Sequence, residues 1–368
     1  MSDGAAGGGN GGPPFRGAAG GGNEVRAVLA GEELDGTRLS ALLELHGYLG
    51  PLQVEQFGGG YSNLTYLLRV GQQELVLRRP PHGANIKSAH DMGREYKLLS
   101  GLFPVYPRVP RPILYCEDAQ VLGAPFYIMD RVQGLILRGP GNAQCTPELM
   151  AELSSGLIDL LAELHKLDYR AAGFAELGKP EGYVARQVSG WSERWRKAAI
   201  DELPEAELVM TWLAANQPPD GRAALIHNDF KYDNLVLDPE QPSTVRAVLD
   251  WEMATVGDPL MDLGTTLGYW VEASDPRELQ ALAFGPTHLP GNLTRAELSV
   301  RYAERTGASL ERVAFYYAFG LFKIAVIAQQ IYARYKRGLT RDPRFKHLSH
   351  AVRVLIQQAL ETGRTGKL

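Results

Sequence analysis

With 368 residues, 45% of them hydrophobic, the chain is long enough for two lobes or two small domains. A formal net charge of −4 argues against a nucleic-acid surface made by bulk charge. Two cysteines, Cys116 and Cys145, are too few for a disulfide framework. A reducing, cytoplasmic compartment is therefore expected, and no secretory h-region is read near the start.

Residues 1–26 are expected to be a flexible tail, since they are mostly Gly, Ala, Pro and Asn and carry little apolar surface. Residues 27–133 and 134–368 are read as a smaller and a larger lobe. Leu39, Leu42 and Leu43 recur at helical spacing, so a leader helix starts near Leu34 and ends before Gly50-Pro51. The pattern then turns to strand over Leu52 to Phe57, Leu64 to Val70 and Glu74 to Arg79. Glycine-rich turns at Gly58-Gly59-Gly60 and Gly71-Gln72-Gln73 make these a meander. Ser88 to Leu102 reads as a helix carrying Glu95, and a further strand pair lies around 113–115 and 126–129. The smaller lobe is thus a sheet of about five strands with a helix.

Past Gly134 the chain is largely helical. Thr146-Pro147 opens a helix with a side-chain cap and Pro in its first turn. Leu149, Leu153, Leu157, Leu160, Leu161 and Leu164 form its buried stripe, and His165 and Lys166 suit its C-terminal dipole. Val313 to Tyr332 is apolar for about the length of a bilayer span. Lys323 in its middle makes a membrane span costly, so a helix buried in the larger lobe is expected. A β-rich lobe followed by an α-rich one is an α+β order.

The chemistry concentrates in His227-Asn228-Asp229-Phe230-Lys231-Tyr232-Asp233-Asn234, an H-x-D-x-x-x-x-N pattern, with Asp250 sixteen residues past Asn234. Two short apolar runs, 235–237 and 245–249, flank a turn containing Asp238 and two prolines. A hairpin there would set Asn234 and Asp250 side by side at its open end. Phosphoryl transfer needs one Asp to accept the hydroxyl proton, and an Asn and a second Asp to hold magnesium on ATP phosphates. Asp229 is the expected base, Asn234 and Asp250 the metal ligands, and His227 a brace for the loop. Lys231 either stabilises charge on the transferred group or is a solvated loop lysine, and Asp233 is read as solvated. Asp258 and Asp262, around Pro259, have the look of functional residues but equally suit a plain helix start, and the structural reading is favoured.

Further elements suit a nucleotide. The loop Phe57-Gly58-Gly59-Gly60-Tyr61-Ser62-Asn63 could bring backbone N–H groups, with Ser62 and Asn63 as side-chain donors, to phosphate oxygens. Val76 and Arg78 share a strand face, for adenine and phosphates respectively. A one-residue bulge would put Arg79 there instead. Glu95 would hold Arg78. The strand through Met129 would lead into a hinge, where backbone groups of Asp130 to Val132 meet the adenine edge. Arg186, Trp191 and Trp195, on a helix with other cations, either bind an anionic acyl group or pack as an amphipathic helix.

Together these motifs resemble the aminoglycoside phosphotransferase family, a small-molecule branch of the protein-kinase-like fold. The carrying stretches are His227-x-Asp229-x-x-x-x-Asn234, Val248-Leu249-Asp250-Trp251-Glu252, Gly257-Asp258-Pro259-x-x-Asp262-Leu263 and the glycine loop. Within it, 62–66, 76–83 and Tyr183-x-x-Arg186-Gln187-x-x-x-Trp191 look most like the kinase-like domain of acyl-CoA dehydrogenase family members ten and eleven. The resemblance implies a two-lobed fold, ATP and Mg2+ as cofactors, and a small-molecule hydroxyl acceptor, with a hydroxyacyl compound such as a 4-hydroxy acid or its CoA thioester foremost. An aminoglycoside, a choline-like alcohol, a sugar, or a non-catalytic ATP-binding role are the alternatives. Trp251-Glu252 stands where protein kinases carry Phe-Gly, so no protein substrate is expected. The basic C-terminal residues Lys336, Arg337, Arg341, Arg344, Lys346 and Arg353 disfavour a polycationic antibiotic.

Overall fold

The computed structural model describes residues 25–58, 63–81, 91–139, 141, 144–340 and 343–368. The smaller lobe is one antiparallel sheet of β1 (Val25–Arg26), β2 (Leu52–Phe57), β3 (Leu64–Val70), β4 (Gln73–Arg79), β5 (Pro112–Cys116) and β6 (Phe126–Asp130). Their spatial order is β1-β2-β3-β4-β6-β5. Five strands match the expected meander and strand pair. The sixth corrects the tail boundary: Val25 and Arg26 pair with Phe57 and Gln56. Two residues carry no periodicity to read. The rest of the expected tail, residues 1–24, lies outside the described residues.

Period two sorts β4 cleanly. Leu75 and Leu77 face an outer core with Tyr66, Leu68, Phe126 and Ile128, covered by Leu39 and Leu43 of α1 (Gly36–Leu45). The short α3 (Ala119–Leu122) adds Leu122 to that layer. Val76 faces the opposite way and joins the main core. The helix expected from Ser88 begins at Met92 as α2 (Met92–Leu102), because Asp91 caps it by accepting from the Arg94 backbone N–H.

The larger lobe holds α4 (Pro147–Lys166), α5 (Tyr183–Ala198), α6 (Pro204–Ala215), α7 (Pro259–Tyr269), α8 (Arg277–Gln280), α9 (Arg295–Thr306), α10 (Val313–Lys336) and α11 (Leu348–Thr365). Two small sheets interrupt it. β7 (Ala224–Ile226) pairs with β10 (Thr255–Gly257), and β8 (Leu235–Leu237) pairs with β9 (Val245–Val248). The N-cap of α4 is Thr146, as its sequence predicts.

α10 is the centre of the lobe, packed on α7, α11 and α5. Among the described residues it is long and apolar enough to cross a membrane, yet it is mostly buried, as Lys323 foretold. Two glycines let it approach α7. A Cβ on Gly320 would fall 2.0 Å from the Gly264 carbonyl oxygen, and one on Gly264 would fall 2.2 Å from the Tyr316 carbonyl oxygen.

Candidate active site

β7 delivers the chain into His227, and the turn Tyr232–Asn234 returns it into β8. The hairpin forms as expected. Leu235 opposes Val248, and the Leu249 N–H donates to the Asn234 carbonyl at 2.8 Å. Asn234 and Asp250 therefore stand at one end of the hairpin and line one cleft. Among the described residues, Asn228 (φ 67°) and Asp250 (φ 65°) are the non-glycine residues with left-handed backbone. Such conformations are costly and persist where surroundings over-determine them.

The surroundings of the loop are dense. Asp262, wholly buried in the first turn of α7, accepts from the backbone N–H groups of His227 (2.6 Å) and Asn228 (2.7 Å). His165 Nε2 donates to the same carboxylate at 3.1 Å, and its Nδ1 meets the Tyr302 hydroxyl at 2.7 Å. His227 Nε2 donates to the Leu249 carbonyl, and its Nδ1 accepts from the Asp229 N–H. That tautomer requires a neutral ring, and burial pushes the His227 pKa down. These bonds tie the loop to the segment before Asp250.

Asp229 meets Lys231 Nζ at 3.0 Å and Asn234 Nδ2 at 2.9 Å, both through Oδ2. Burial would raise its pKa, but Lys231, then His227 and the Tyr269 hydroxyl, outweigh burial and hold it below the ordinary Asp value. Asn234 directs its amide nitrogen to the Asp229 carboxylate and carbonyl, so its side-chain oxygen takes no part in that contact. Lys231 is no solvated lysine. It also faces Asp233 at 3.8 Å and lies 4.4 Å from the centre of the Tyr269 ring. Asp233 is accordingly not the solvated carboxylate expected: it is half-buried, and burial raises its pKa.

Above the loop, Arg78 faces the cleft and Arg79 does not. Arg78 pairs with Glu95 at 2.5 Å and reaches Asp250 and Glu252 at 3.3 Å each. Burial lowers its pKa, but Glu95, Tyr127, Asp250 and Glu252 more than reverse that. Arg79 points to the outer core and donates to the Leu122 carbonyl at 2.8 Å. The strand carries no bulge there: Thr65 opposes Arg78 and Leu64 opposes Arg79. The cleft is lined by Val76, Leu99, Met129, Ile136, Val236 and Leu249 on its apolar part, with Asp130 and Val132 on its rim. The Asp130 side chain is engaged by Arg111 at 2.7 Å, and the Asp130 and Arg131 N–H groups donate to the Arg111 and Glu74 carbonyls.

Of the glycine loop, Gly58 follows β2 as an exposed residue, while Gly59, Gly60 and Ser62 lie outside the described residues. Asn63 lines the cleft and donates to Glu252 at 2.9 Å. The expected anionic-acyl patch on α5 takes its packing form instead. Trp191 and Trp195 are buried in the core, and the Arg186 guanidinium caps the carbonyls of Lys179 and Glu181. Sequence reasoning missed the parts played by Glu252, Arg94, Tyr269 and His165, and favoured helix-start structure over function for Asp262. Arg94 donates to the Glu252 and Ala254 carbonyls. An acid placed four residues past Asp258 in an otherwise apolar helix was the available signal for Asp262.

The profile of the phosphotransferase enzyme family matches residues 53–298. Acyl-CoA dehydrogenase family member 11 of Gallus gallus is 37% identical over 321 residues, 85% of this chain and 40% of that protein. Family member 10 of Mus musculus is 34% identical over 82% of this chain and 28% of its own length. The chain thus spans less than half of these relatives. A Ralstonia eutropha structure that bears the name "putative aminoglycoside phosphotransferase" superposes with a TM-score of 0.78 at 29% identity, covering 90% of this chain and 99% of that one. A Cryptosporidium parvum choline kinase shares the fold at a TM-score of 0.56 and 13% identity, over 87% and 96% of the two chains. With the β-rich lobe, the helical lobe and the H-x-D-x-x-x-x-N loop between paired strands, these matches place the chain in the phosphotransferase enzyme family, on the protein-kinase-like fold.

Proposed function

We propose that the chain transfers the γ-phosphoryl group of ATP, with magnesium, to the hydroxyl of a small hydroxyacyl compound, a 4-hydroxy acid or its CoA thioester. The observation that carries this is the Asp229–Asn234 contact. One side chain able to receive a hydroxyl proton is hydrogen-bonded to one able to hold a cation, and the second lines a cleft with an apolar part and a polar part where Arg78, Asp250 and Glu252 meet. The donor set fits the nucleotide: Val76, Leu99, Met129 and Val236 would face the base, Arg78 the phosphates, and the oxygens of Asn234 and Asp250 would hold magnesium. Bound magnesium would neutralise charge on the phosphate oxygens.

The chain's own residues do the rest. Asp229 accepts a hydrogen bond from the acceptor hydroxyl and aims it along the line of displacement. The proton passes to the carboxylate as the new O–P bond forms and the bond to the ADP oxygen breaks. Lys231, held beside Asp229, faces the charge on the transferred group. Arg78, fixed by Glu95, grips phosphate oxygens with a planar fork. The hydroxyacyl acceptor is supported by the names of the relatives, which are acyl-CoA dehydrogenase family members, and by the basic C-terminal segment, which does not suit a polycation. A cytoplasmic location, with no nucleic-acid or protein substrate, belongs to the same reading.

A second reading keeps the chemistry and changes the acceptor. It is favoured by the name of the Ralstonia eutropha neighbour, an aminoglycoside phosphotransferase. An ADP-release assay with Mg-ATP separates the two, using 3-, 4- and 5-hydroxy acids, their CoA thioesters, choline, simple sugars and kanamycin. ADP release on 4-hydroxyacyl compounds alone supports the first reading, whereas turnover of kanamycin or choline alone replaces it. Nucleotide binding with no turnover on any of them would instead support a non-catalytic protein. Asp229→Ala should bind Mg-ATP and lose turnover by roughly 10²-fold or more.

A further inference from the structure

Lys323 is 2% exposed, in the middle of the long, mostly buried apolar helix α10. A lysine is almost never placed so deep without a partner. Its Nζ donates to the Asn228 carbonyl at 2.8 Å, and lies 3.4 Å from Asn228 Oδ1 and 3.5 Å from Thr265 Oγ1. Asn228 is the left-handed residue between His227 and Asp229. Its side-chain nitrogen in turn donates to the Met253 carbonyl at 3.1 Å and the Tyr183 hydroxyl at 3.4 Å. One ammonium therefore joins α10 and α7 to the catalytic loop and, through Asn228, to α5 and the segment after Asp250. The Gly264–Gly320 contact is what brings α10 close enough to do this.

We propose that Lys323 is a positioning residue for phosphoryl transfer, holding Asn228 in its left-handed conformation so that the Asp229 carboxylate keeps its place between Lys231 and Asn234. An asparagine tolerates positive φ better than most residues, but the conformation still has to be held. Asp262 holds the N–H side of Asn228, and Lys323 holds its carbonyl side. With both ends of the residue fixed, the next peptide has one orientation. The charged groups that face the ammonium are Asp262 from α7, Asp229 and Lys231 from the loop, and Arg194 from α5. Trp191 of α5 presents its ring at 5.9 Å. Burial, partly offset by Asp262 and Asp229, brings the Lys323 pKa down to about 8.

The kinetic arm of the test rests on the kinase reading, and the structural arm does not. Lys323→Met removes the donor at similar volume, while Lys323→Gln keeps an N–H donor and drops the charge. With Mg-ATP and a 4-hydroxyacyl-CoA acceptor, Lys323→Met should lose roughly 10²-fold in kcat, as for a misplacement of about 1 Å, with the KM for ATP nearly unchanged. Lys323→Gln should recover a substantial part of the loss. Because the neutral amine still donates, wild-type kcat should fall only partway, to about the Lys323→Gln level, as pH rises through about 8, and the Lys323→Met profile should lack that limb. Equal loss in both variants, or a kcat near wild type in Lys323→Met, overturns the proposal. If the wild type turns over no acceptor, the kinase reading fails and a crystal structure of Lys323→Met still decides. Relaxation of Asn228 out of positive φ supports the positioning role, and a φ still near 67° with Asp229 in place refutes it. Should Lys323→Met not fold, the Lys323→Gln crystal structure decides by the same readout, with φ retained through its amide bond to the Asn228 carbonyl supporting the role and that bond absent with φ retained refuting it.

Discussion

Arg78 answers to three carboxylates from one guanidinium. Its pairing with Glu95 is buried on both sides, with 11% and 4% of the side chains exposed. Removing one member of such a pair strands the other, so Arg78→Met should cost about 3–5 kcal/mol of stability, read as a loss in the urea midpoint. Arg78→Lys should fold better yet raise the KM for ATP, because a point charge cannot serve Glu95 and phosphate with one planar fork. Asp262 offers a prediction with a pH sign. Burial raises its pKa, but His165 and His227 and the backbone N–H donors outweigh it, so the folded value lies below the ordinary one. Its contribution is present above about pH 3.9, the usual Asp value, and is lost as pH falls through the lower folded-state value. Asp262→Asn cannot accept from both loop N–H groups and His165, so it should flatten that acid limb in thermal melts across pH 2–5 (roughly the span of the titration) and lower kcat together with stability. An unchanged acid limb in Asp262→Asn would remove the role assigned to this carboxylate. These residues differ in legibility. Arg78 and Glu95 could be placed from a strand period and a following helix, because period two fixes which side chain shares the Val76 face. His165 could not, because its partners lie 97 and 137 positions away and nothing local distinguishes it from a helix-end histidine.

At the scale of elements, the meander, the β8–β9 hairpin and α4 follow from alternation, turn residues and capping, which are local signals. β1 did not, since two residues cannot show a period, and its pairing with β2 depends on a contact about thirty positions away. The left-handed turns at Asn228 and Asp250 were also invisible, because neither is glycine and both conformations are imposed by distant groups. The α7–α10 contact is the element whose disturbance should propagate furthest. Gly264→Ala or Gly320→Ala would drive a methyl into backbone of the facing helix. The helices must then separate, at a cost of about 1–3 kcal/mol for an overpacked interface. Because Lys323 and Thr265 sit beside this contact, the same substitutions should reduce kcat more than the nucleotide affinity. Calorimetry and steady-state kinetics on the two variants check both halves. An alanine variant with wild-type melting would mean the helices already have room to spare.

For the whole molecule, the two lobes meet across the cleft through few polar links. Arg78 of β4 reaches Asp250 and Glu252, Asn63 reaches Glu252, and Arg94 of α2 reaches the Glu252 and Ala254 carbonyls. These three residues all land on the segment that follows the β8–β9 hairpin, while away from the cleft Arg108 reaches Glu163 of α4 and its own carbonyl accepts from the Val248 N–H, so that segment is the joint on the cleft side. A nucleotide seated in the cleft touches both sides of the joint and should stabilise the folded chain by mass action. At a hundred times its Kd the gain is about 2.7 kcal/mol, which a thermal melt resolves easily. The charge arrangement then predicts a sharp dependence on magnesium. Arg78 is already engaged by Glu95, Asp250 and Glu252, and Lys231 by Asp229 and Asp233. Carboxylates thus stand among the cations of the cleft, and a bare tetra-anionic nucleotide would meet Asp250 with no metal beside it. Paired with a divalent cation, the same phosphates turn Asp250 and the Asn234 oxygen from obstacles into ligands. Melting with ATP should therefore rise well above the apo value in magnesium and only slightly in EDTA. Asp250→Asn should narrow that gap from both ends, weakening the magnesium-bound form and easing entry of the free nucleotide. Equal stabilisation in magnesium and in EDTA would show that the phosphates are held by arginine and backbone alone, and would withdraw the metal role from Asn234 and Asp250.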